Sequence, residues 1–581
     1  MMLGFPARES LVVIVGYRTA MPKFASRLRQ MTNALRYLAR GDISGLFNRL
    51  KWYGREYNHV KLRRRIANGN GIVWGILCTP HTLFIAQTIS ERLAGHGIDS
   101  EIAMGPQTRF DHDMYIVLCA QMFKRLPPAH KRIIFQLEQS VSSRWFTSQY
   151  MKILTDSLGV LEYSLTNIDF LAKKGLKYPN VHYLPIGATL NHPFKDNETP
   201  KKYDFVFYGD SLSSDRRRRF LEKLREKYNV KVCNDLFGEE LYAVIRQARF
   251  VINIHYYEGA LLEMPRLCEC ISLGVPVLSE GTSDQDEYPE LEGAVRFFDE
   301  GSVDSMIVQA SELFNNPEAT NGDLESAVQV SARRFDFMID RFLTAIGAIA
   351  ADVILERPIY VTRPSKFFAL SLPETIERRR TIAQSLPRGC ELFDGIRHKS
   401  GWIGCGGSFN ALSRYALAND VRRLTVVEDD VELPDNFEDI LNELNAYLDS
   451  RQSRWDIFSG MMADVHPKAS IVSVENFGGR TYVTIDKMTS TVFNIYNENA
   501  LRILSSWNPL DTDAVTNTID RYLERQENLR VVVALPFVAG HKEDATSTLW
   551  GFENERYTPM IAAAQRKIEG LVRSWQHGRH R

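Results

Sequence analysis

From Gly71 onward the chain alternates short aliphatic and aromatic runs with longer runs whose apolar residues recur every three or four positions. No other feature narrows its fold as much. "GIVWGILC" reads as a buried strand, "HTLFIAQTISERLAGHG" as a helix stopped by glycine, and "DMYIVLC" and "KRIIFQLE" as further strands. Alternation of this kind predicts parallel sheets with crossover helices. "VHYLPIGA" closes a first unit over 71–200, and the polar "NHPFKDNETPKKYD" links it to a second over 201–350. That second unit opens on "YDFVFYGD" and runs through "NVKVCND", "FVINIHYYE" and "GVPVLSE". Two such units joined by a short link enclose a cleft, and clefts between domains are preferred ligand sites.

The chain is too long for one core: 581 residues at roughly 150 per domain predict three or four units. Apolar and charged fractions are those of an ordinary globular protein, and the formal net charge of zero leaves no global field directed at nucleic acid. The seven cysteines are odd in number, scattered, mostly in apolar company and without zinc spacing, which predicts reduced thiols in a cytoplasmic protein. "LVVIVG" near the start is too short to span a bilayer, and a secretory h-region with a cleavage site is not seen there.

Charge is nevertheless uneven. Between Met21 and Ile66 twelve Lys or Arg stand against Asp42 and Glu56, with Leu28, Met31, Leu35, Leu38, Leu46, Phe47 and Leu50 at helix-like spacing beside Trp52 and Tyr53. A basic amphipathic segment over 1–70 could make peripheral contact with the anionic inner face of a plasma membrane. The same pattern also suits a helix packed on the next domain with its bases solvated.

In the last third, "LTVVEDDVELP" steps from a strand interior straight to Glu428, Asp429 and Asp430. Charge is thereby placed at the carboxyl end of a strand, where α/β sheets bind ligands, and oxygen clusters there suit a hard divalent cation carrying phosphates. Taken alone, an acidic triplet is equally a solvated turn. Upstream, "DLESAVQVSARRFDFMIDRFLTAIGAIAADVI" reads as one amphipathic helix, and "LERPIYVTRPSK" separates it from a last domain over 358–575.

"NIHYYEGALLEMPRLCECISLGVPVLSE" resembles the donor-binding segment of GT-B glycosyltransferases, in which an acid-bearing loop leads into a helix and a Gly-x-Pro-Val strand start. The resemblance implies that Glu269, five residues before Gly274, hydrogen-bonds the ribose of a nucleotide sugar. The family's first acid is not matched: Leu261 stands eight residues before Glu269, flanked by Glu258 and Glu263. "YGDSLSSDRRRRF" is similar to the turn where glycine lets basic side chains approach the diphosphate, with Gly209 and Arg217 as donor-binding candidates. An arginine run of this kind also suits a solvated helix face.

"FFALSLPETIERRRTIAQSL", "CELFDGI", "GWIGCGGSFNALSRYALAND" and "LTVVEDDVELP", followed by "TSTVFNIYNENALRIL", "NTIDRYL" and "PFVAGHKEDATSTLWG", resemble in that order the lipooligosaccharide and collagen galactosyltransferases, family 25 in the sequence classification. Ser371 stands where asparagine is usual. The resemblance implies a GT-A domain that uses Mn2+, or Mg2+, and transfers a hexose, galactose in that family, with inversion. Alternation along a strand end lets Glu428 and Asp430 share a ligand while Asp429 points elsewhere. The resemblance makes Asp430 a metal ligand and Glu428 a contact to ribose or metal-bound water, and His541 a further ligand; imidazole beside carboxylates favours manganese over magnesium. The resemblance, which places an acid in the "NTIDRYL" helix, makes Asp520 the first candidate for the base that takes the acceptor hydroxyl proton, with Asp464 and Asp544, each on a loop, as alternatives. Ser408 either caps its helix or marks glycines whose amides approach the diphosphate.

The fold class expected is therefore α/β: a GT-B-like pair of Rossmann-type domains followed by a GT-A domain. The function expected is a bifunctional glycosyltransferase that uses nucleotide-sugar donors and a glycan or glycolipid acceptor of the bacterial surface, of lipopolysaccharide or exopolysaccharide type. The alternatives are catalysis by the C-terminal half alone, with the N-terminal half as a glycan-binding or docking module, or a scaffold built on degenerate transferase folds.

Overall fold

A computed structural model describes residues 57–68, 72–141, 144–196, 198–316, 321–451, 454–488, 490–543 and 554–579. Its first sheet contains β1 (Trp74–Cys78), β2 (Ser100–Met104), β3 (Met114–Leu118), β4 (Arg132–Gln136), β5 (Gly159–Glu162) and β6 (Val181–Tyr183). All are parallel, in the order β2-β1-β3-β4-β5-β6. β1, β3, β4 and β5 are buried along their whole length, as strands of a parallel sheet covered on both faces are, and their interiors are apolar, with Arg132, Gln136 and Glu162 buried at strand ends.

The second sheet is also parallel: β7 (Tyr203–Tyr208), β8 (Val230–Cys233), β9 (Ala248–Asn253), β10 (Val277–Glu280) and β11 (Val295–Phe298), in the order β11-β10-β9-β7-β8. The amphipathic run that follows the second sheet is not one helix. It forms Asn321–Ile346 and, after Gly347 at φ +80, the short Ala351–Leu355, because only glycine enters that left-handed region without cost.

The third sheet is mixed. Its members are β12 (Phe367–Ser371), β13 (Glu391–Asp394), β14 (Arg423–Glu428), β16 (Ile457–Ser459), β17 (Ile471–Phe477), β18 (Arg480–Ile485), β19 (Phe493–Asn497) and β20 (Val531–Leu535), in the order β13-β12-β14-β19-β16-β20-β18-β17. β12, β13 and β14 run parallel, and β19 runs against both β14 and β16. A two-stranded ladder pairs β15 (Val431–Glu432) with β21 (Gly540–His541) and so brings the end of the chain over the acidic triplet.

The long helix Asn321–Ile346 ties the three sheets together. On one side Ser331 Oγ accepts the Ala188 amide at 3.1 Å and Asp340 accepts Arg92 Nε at 2.9 Å. Farther along, Arg341 donates to both carboxylate oxygens of Glu374, at 2.6 and 2.7 Å, and so reaches the third domain. Both partners of this pair are fully buried. A buried pair of this kind costs desolvation but leaves a charge uncompensated if either partner is lost, so it specifies how the halves dock more than it adds stability.

The helix Tyr57–Asn68 buries Leu62 in the core of the first unit, and Arg65 Nε donates to Asp113 O at 2.9 Å. This part of the basic segment is packed against protein; the rest of it lies outside the described residues. Every cysteine is a free thiol, and among the described residues no helix is long and apolar enough to cross a membrane.

Candidate functional site

β14 ends at Glu428 with its alternation intact, so the next three side chains take separate directions. Glu428 turns toward Thr491, whose Oγ1 donates to its Oε1 at 2.6 Å. Asp429 turns toward the end of β12, where Ser371 Oγ donates to it at 2.8 Å and Arg378 Nε at 2.9 Å. The serine at position 371 thus serves as a partner for the triplet. Asp430 turns forward again, and its Oδ2 lies 2.9 Å from Arg378 Nη2, 3.3 Å from Asn554 Nδ2 and 3.6 Å from His541 Nε2. Its Oδ1 is buried with no hydrogen-bond partner among the described residues.

These groups open on a cavity of about 370 Å³ lined by Arg378, Glu428, Asp430, Asp520, His541 and Tyr557 among others. Burial together with the neighbouring Asp430 charge pushes the Glu428 carboxyl up to about 8, against the opposing Thr491 hydrogen bond. Burial alone would lower the Arg378 guanidinium, but Asp429 and Asp430 outweigh it and the shift is upward. His541 is held by stacking on Tyr557, ring centroids 4.6 Å apart. A second, smaller cavity of about 80 Å³ runs over the carboxyl ends of β12, β13 and β14 and meets the first at Arg378, Cys405 and Glu428.

The predicted residues fare differently. Glu428, Asp430, His541 and Asp520 come together at the larger cavity. Asp520 sits in the first turn of the helix Ile519–Glu524, and its neighbour Arg521 pairs instead with Glu524 at 2.7 Å. Asp464 is exposed, and its Oδ1 accepts the Val465 amide at 2.7 Å, while Ala463 beside it lines the cavity. Asp544 lies outside the described residues.

Ser408 is not a cap. The helix Gly401–Ala418 starts after Ser400, and Ser408 lies inside it, its Oγ donating to Gly404 O at 2.8 Å and accepting the Ile396 amide at 2.9 Å. The glycines before it serve packing: a Cβ on Gly406 would lie 2.5 Å from Trp507 Cζ2, and one on Gly404 2.4 Å from Ile396 O. Ser408 does line the smaller cavity.

Among the described residues no group of three or more His, Cys, Asp and Glu is set at metal-ligand spacing. What Asp430 and His541 offer is a partial set: an unpartnered carboxylate oxygen and an imidazole nitrogen, which suits a cation that takes its remaining ligands from a diphosphate and water.

In the N-terminal half the cleft between the sheets holds a cavity of about 180 Å³ whose walls include Glu138 and Gln139 from one side and Tyr256, Tyr257 and Glu263 from the other. Glu269 is not among the residues lining this cavity. Its carboxylate accepts Tyr208 Oη at 2.9 Å and Tyr242 Oη at 3.2 Å, and burial pushes it up to about 7 despite those bonds. Arg217 is buried and engaged by Ile254 O at 2.8 Å, Asp210 O at 3.2 Å and Glu263 at 3.1 Å. The arginine run is thus not a purely solvated face. Gly209 has φ +121, and a Cβ there would lie 3.0 Å from Arg266 Nη2, so glycine is required by conformation and by the guanidinium beside it.

Sequence reasoning did not single out Arg378, Thr491, Asn554 and Tyr557. Arg378 lies in the quoted "ERRRTIAQSL", but one of three adjacent arginines is distinguished only by helix phase. The other three reach the triplet through tertiary contacts that local patterning does not encode.

Residues 192–335 match the family described as "Glycosyl transferase-like", and a glycosyltransferase is what that match supports. Among curated proteins, "Uncharacterized protein L140" of Acanthamoeba polyphaga mimivirus is 26% identical over 182 residues, covering 29% of this chain and 56% of that protein. The chain thus spans about half the length of this relative. Similar solved structures include the sucrose-phosphate synthase of Thermosynechococcus elongatus, 12% identical over 48% of this chain and 99% of its own, with a TM-score of 0.34. Others are an alpha-glucosyltransferase in complex with UDP-glucose and DNA containing an abasic site, and Anabaena Alr3699/HepE in complex with UDP and glucose. Each of these two is 10% identical over 48% of this chain and 100% of its own, with a TM-score of 0.34. Scores of that size carry no conclusion about substrate.

Proposed function

We propose that this chain is a nucleotide-sugar-dependent glycosyltransferase with two transferase modules: a GT-B-type N-terminal pair and a GT-A-type C-terminal domain of the family 25 kind. The C-terminal module transfers a hexose, galactose by resemblance, with inversion, and the acceptor is a bacterial surface glycan or glycolipid. The observation that carries the reading is the convergence of Glu428, Asp430, Asp520 and His541 on one cavity at the carboxyl end of β14.

In this reading Asp430 and His541 hold manganese, or magnesium, which supplies charge neutralisation to the departing diphosphate. Arg378 stands at the mouth shared by both cavities and adds a fixed cation beside the same phosphates. Asp520 accepts the proton of the acceptor hydroxyl as that oxygen bonds to the anomeric carbon. The bond from the anomeric carbon to the diphosphate oxygen breaks on the opposite face, which inverts the centre. Glu428, held by Thr491, contacts the ribose.

A second reading has its own observation. Both carboxylate oxygens of Glu269 are taken by tyrosine hydroxyls and Arg217 is bonded inward, which favours an N-terminal half that docks acceptor glycan while the C-terminal site alone is catalytic. The match over 192–335 favours the two-module form. A turnover screen of the full chain against UDP-, GDP- and ADP-sugars, repeated with Asp430→Asn and Glu263→Ala, decides between them. Two different activities lost by the two variants support two active sites; loss of every activity in Asp430→Asn with none in Glu263→Ala supports the docking form.

A further inference from the structure

The smaller cavity of the C-terminal domain is not built from that domain alone. The end of β12 with Leu372, Gly395 to His398 after β13, Glu428 and Asp429 at the end of β14, and helix residues such as Arg378 and Ser408 form most of it, and one further wall residue, Tyr178, belongs to the first unit. Tyr178 is half-buried and stands just before β6.

Its position is fixed by a dense set of contacts across the junction. The Arg397 guanidinium lies 4.8 Å from the Tyr178 ring centroid, and it donates to Val181 O at 2.7 Å and to Pro179 O at 2.9 Å. The same guanidinium lies 3.2 Å from Glu374 Oε1, and Glu374 also accepts the Tyr183 amide at 2.9 Å. From the long helix, Arg341 Nε donates to Gly395 O at 2.5 Å. The loop that walls the cavity, Gly395 to His398, is thereby held on one side by the first unit and on the other by the helix that crosses between the halves.

Resting on the reading of the C-terminal site as a nucleoside-diphosphate site, we propose that the N-terminal half completes its nucleobase end and that Tyr178 is the ring against which the base packs. The larger cavity, with Asp430 and Asp520, takes the diphosphate and the reacting sugar. The base then lies at the other end, over the carboxyl ends of β12 and β13, as ligands of α/β sheets do. An aromatic ring is the group that holds a planar base with little demand on its identity. The consequence is that the C-terminal site cannot be complete in a chain without its first unit, whatever the first unit does by itself.

The test uses the full chain, titrated calorimetrically at saturating manganese with UDP, ADP and GDP in turn and separately with inorganic pyrophosphate. For the nucleotide that binds best, Tyr178→Ala is expected to weaken binding about five- to a hundredfold, the range of one lost base stack. Pyrophosphate affinity is expected to stay unchanged and Tyr178→Phe to stay within about twofold of wild type. If Tyr178→Ala does not fold, Tyr178→Leu, which fills volume without a π-face, enters the same titrations with the same expectation. Unchanged nucleotide affinity in the variant overturns this inference alone. An equal loss of nucleotide and pyrophosphate also overturns it, because the junction and not the base contact would then be what Tyr178 provides. A wild-type chain that binds none of the four probes overturns the reading of the C-terminal site and this inference with it.

Discussion

Arg378 Nη2 lies 2.9 Å from Asp430 Oδ2, and its Nε lies 2.9 Å from Asp429 Oδ1, so one guanidinium bridges two consecutive carboxylates that point to different sides of a strand end. The two acids have unequal needs. Asp429 is also bonded by Ser371, whereas Asp430 keeps one buried oxygen without a partner among the described residues. Asp430→Asn is therefore expected to remove manganese-dependent donor turnover by about a hundredfold or more, the scale of one lost electrostatic stabiliser. Its unfolding midpoint should stay near wild type, because Arg378 retains Asp429. Arg378→Ala strands Asp429 as a buried, unpaired charge and is expected to cost about 3 to 5 kcal/mol in urea unfolding. Retained turnover of Asp430→Asn at saturating manganese would refute the assignment.

The contrast between these neighbours shows what was legible in the sequence. Alternation after β14 predicted that Glu428 and Asp430 would serve one side and Asp429 another, because strand geometry is a local property. Most strands of the first two sheets were legible for the same reason, as apolar runs, whereas β2, β5 and β11 were not singled out; β2, with its partly exposed Ser-Glu-Ile-Ala-Met, carries no such run. Arg378 and Tyr178 were not, since both act through positions set by other elements. Ser408 misled because a serine after glycines looks like a helix start, whereas those glycines sit inside a helix that Trp507 and the Ile396 carbonyl approach closely. Glu269 matched by spacing to its Gly-x-Pro turn, but spacing says nothing of the two tyrosine hydroxyls that occupy it.

Acid should loosen the junction between the halves. Burial by itself would raise the Glu374 carboxyl, but Arg341 and Arg397 outweigh that and hold it at about 2. An acid depressed on folding contributes stability that is present above its ordinary range and is lost as pH falls toward the folded value. The contribution is thus expected to be complete at pH 6 and to disappear between about pH 4.5 and 2. Glu374→Gln is expected to cost about 3 to 5 kcal/mol at neutral pH, because two buried arginines lose their counter-charge. Its deficit against wild type should shrink as pH falls through that window. A deficit independent of pH in chemical unfolding would show that the charge of Glu374 is not what holds the halves.

Glu269 separates a donor contact from a structural one. With both oxygens engaged by Tyr208 and Tyr242, removal of the carboxylate takes the acceptor from Tyr242 Oη and leaves Tyr208 Oη only the weak contact to Cys270 Sγ at 3.5 Å, and is expected to cost about 1 to 3 kcal/mol of stability. Tyr208→Phe combined with Glu269→Ala is expected to recover part of that loss, which a double-mutant cycle measures. If Glu269→Ala instead leaves stability unchanged and raises the KM for a sugar nucleotide about tenfold, the ribose contact implied by resemblance is the right assignment.

The glycines before Ser408 give a paired test of what they are for. Ala is the better helix former by about 1 kcal/mol, so propensity alone predicts that either glycine could be replaced with profit. At Gly406 the new methyl would lie 2.5 Å from Trp507 Cζ2, and Trp507 is buried with its Nε1 donating to Asn517 O at 3.0 Å, so the ring has nowhere to move. Overpacking of that kind costs about 1 to 3 kcal/mol, which outweighs the propensity gain. At Gly407 the nearest atoms, on Ile396, would lie at 3.8 Å, an ordinary contact, and the propensity gain remains. Gly406→Ala is therefore expected to destabilise and Gly407→Ala to stabilise by about 0.5 to 1 kcal/mol in thermal or urea unfolding. Nucleotide affinity should be unchanged in Gly407→Ala, because its methyl points at Ile396 and Leu355. A large loss of nucleotide affinity in Gly407→Ala without loss of stability would instead mean that the backbone at these glycines approaches the diphosphate.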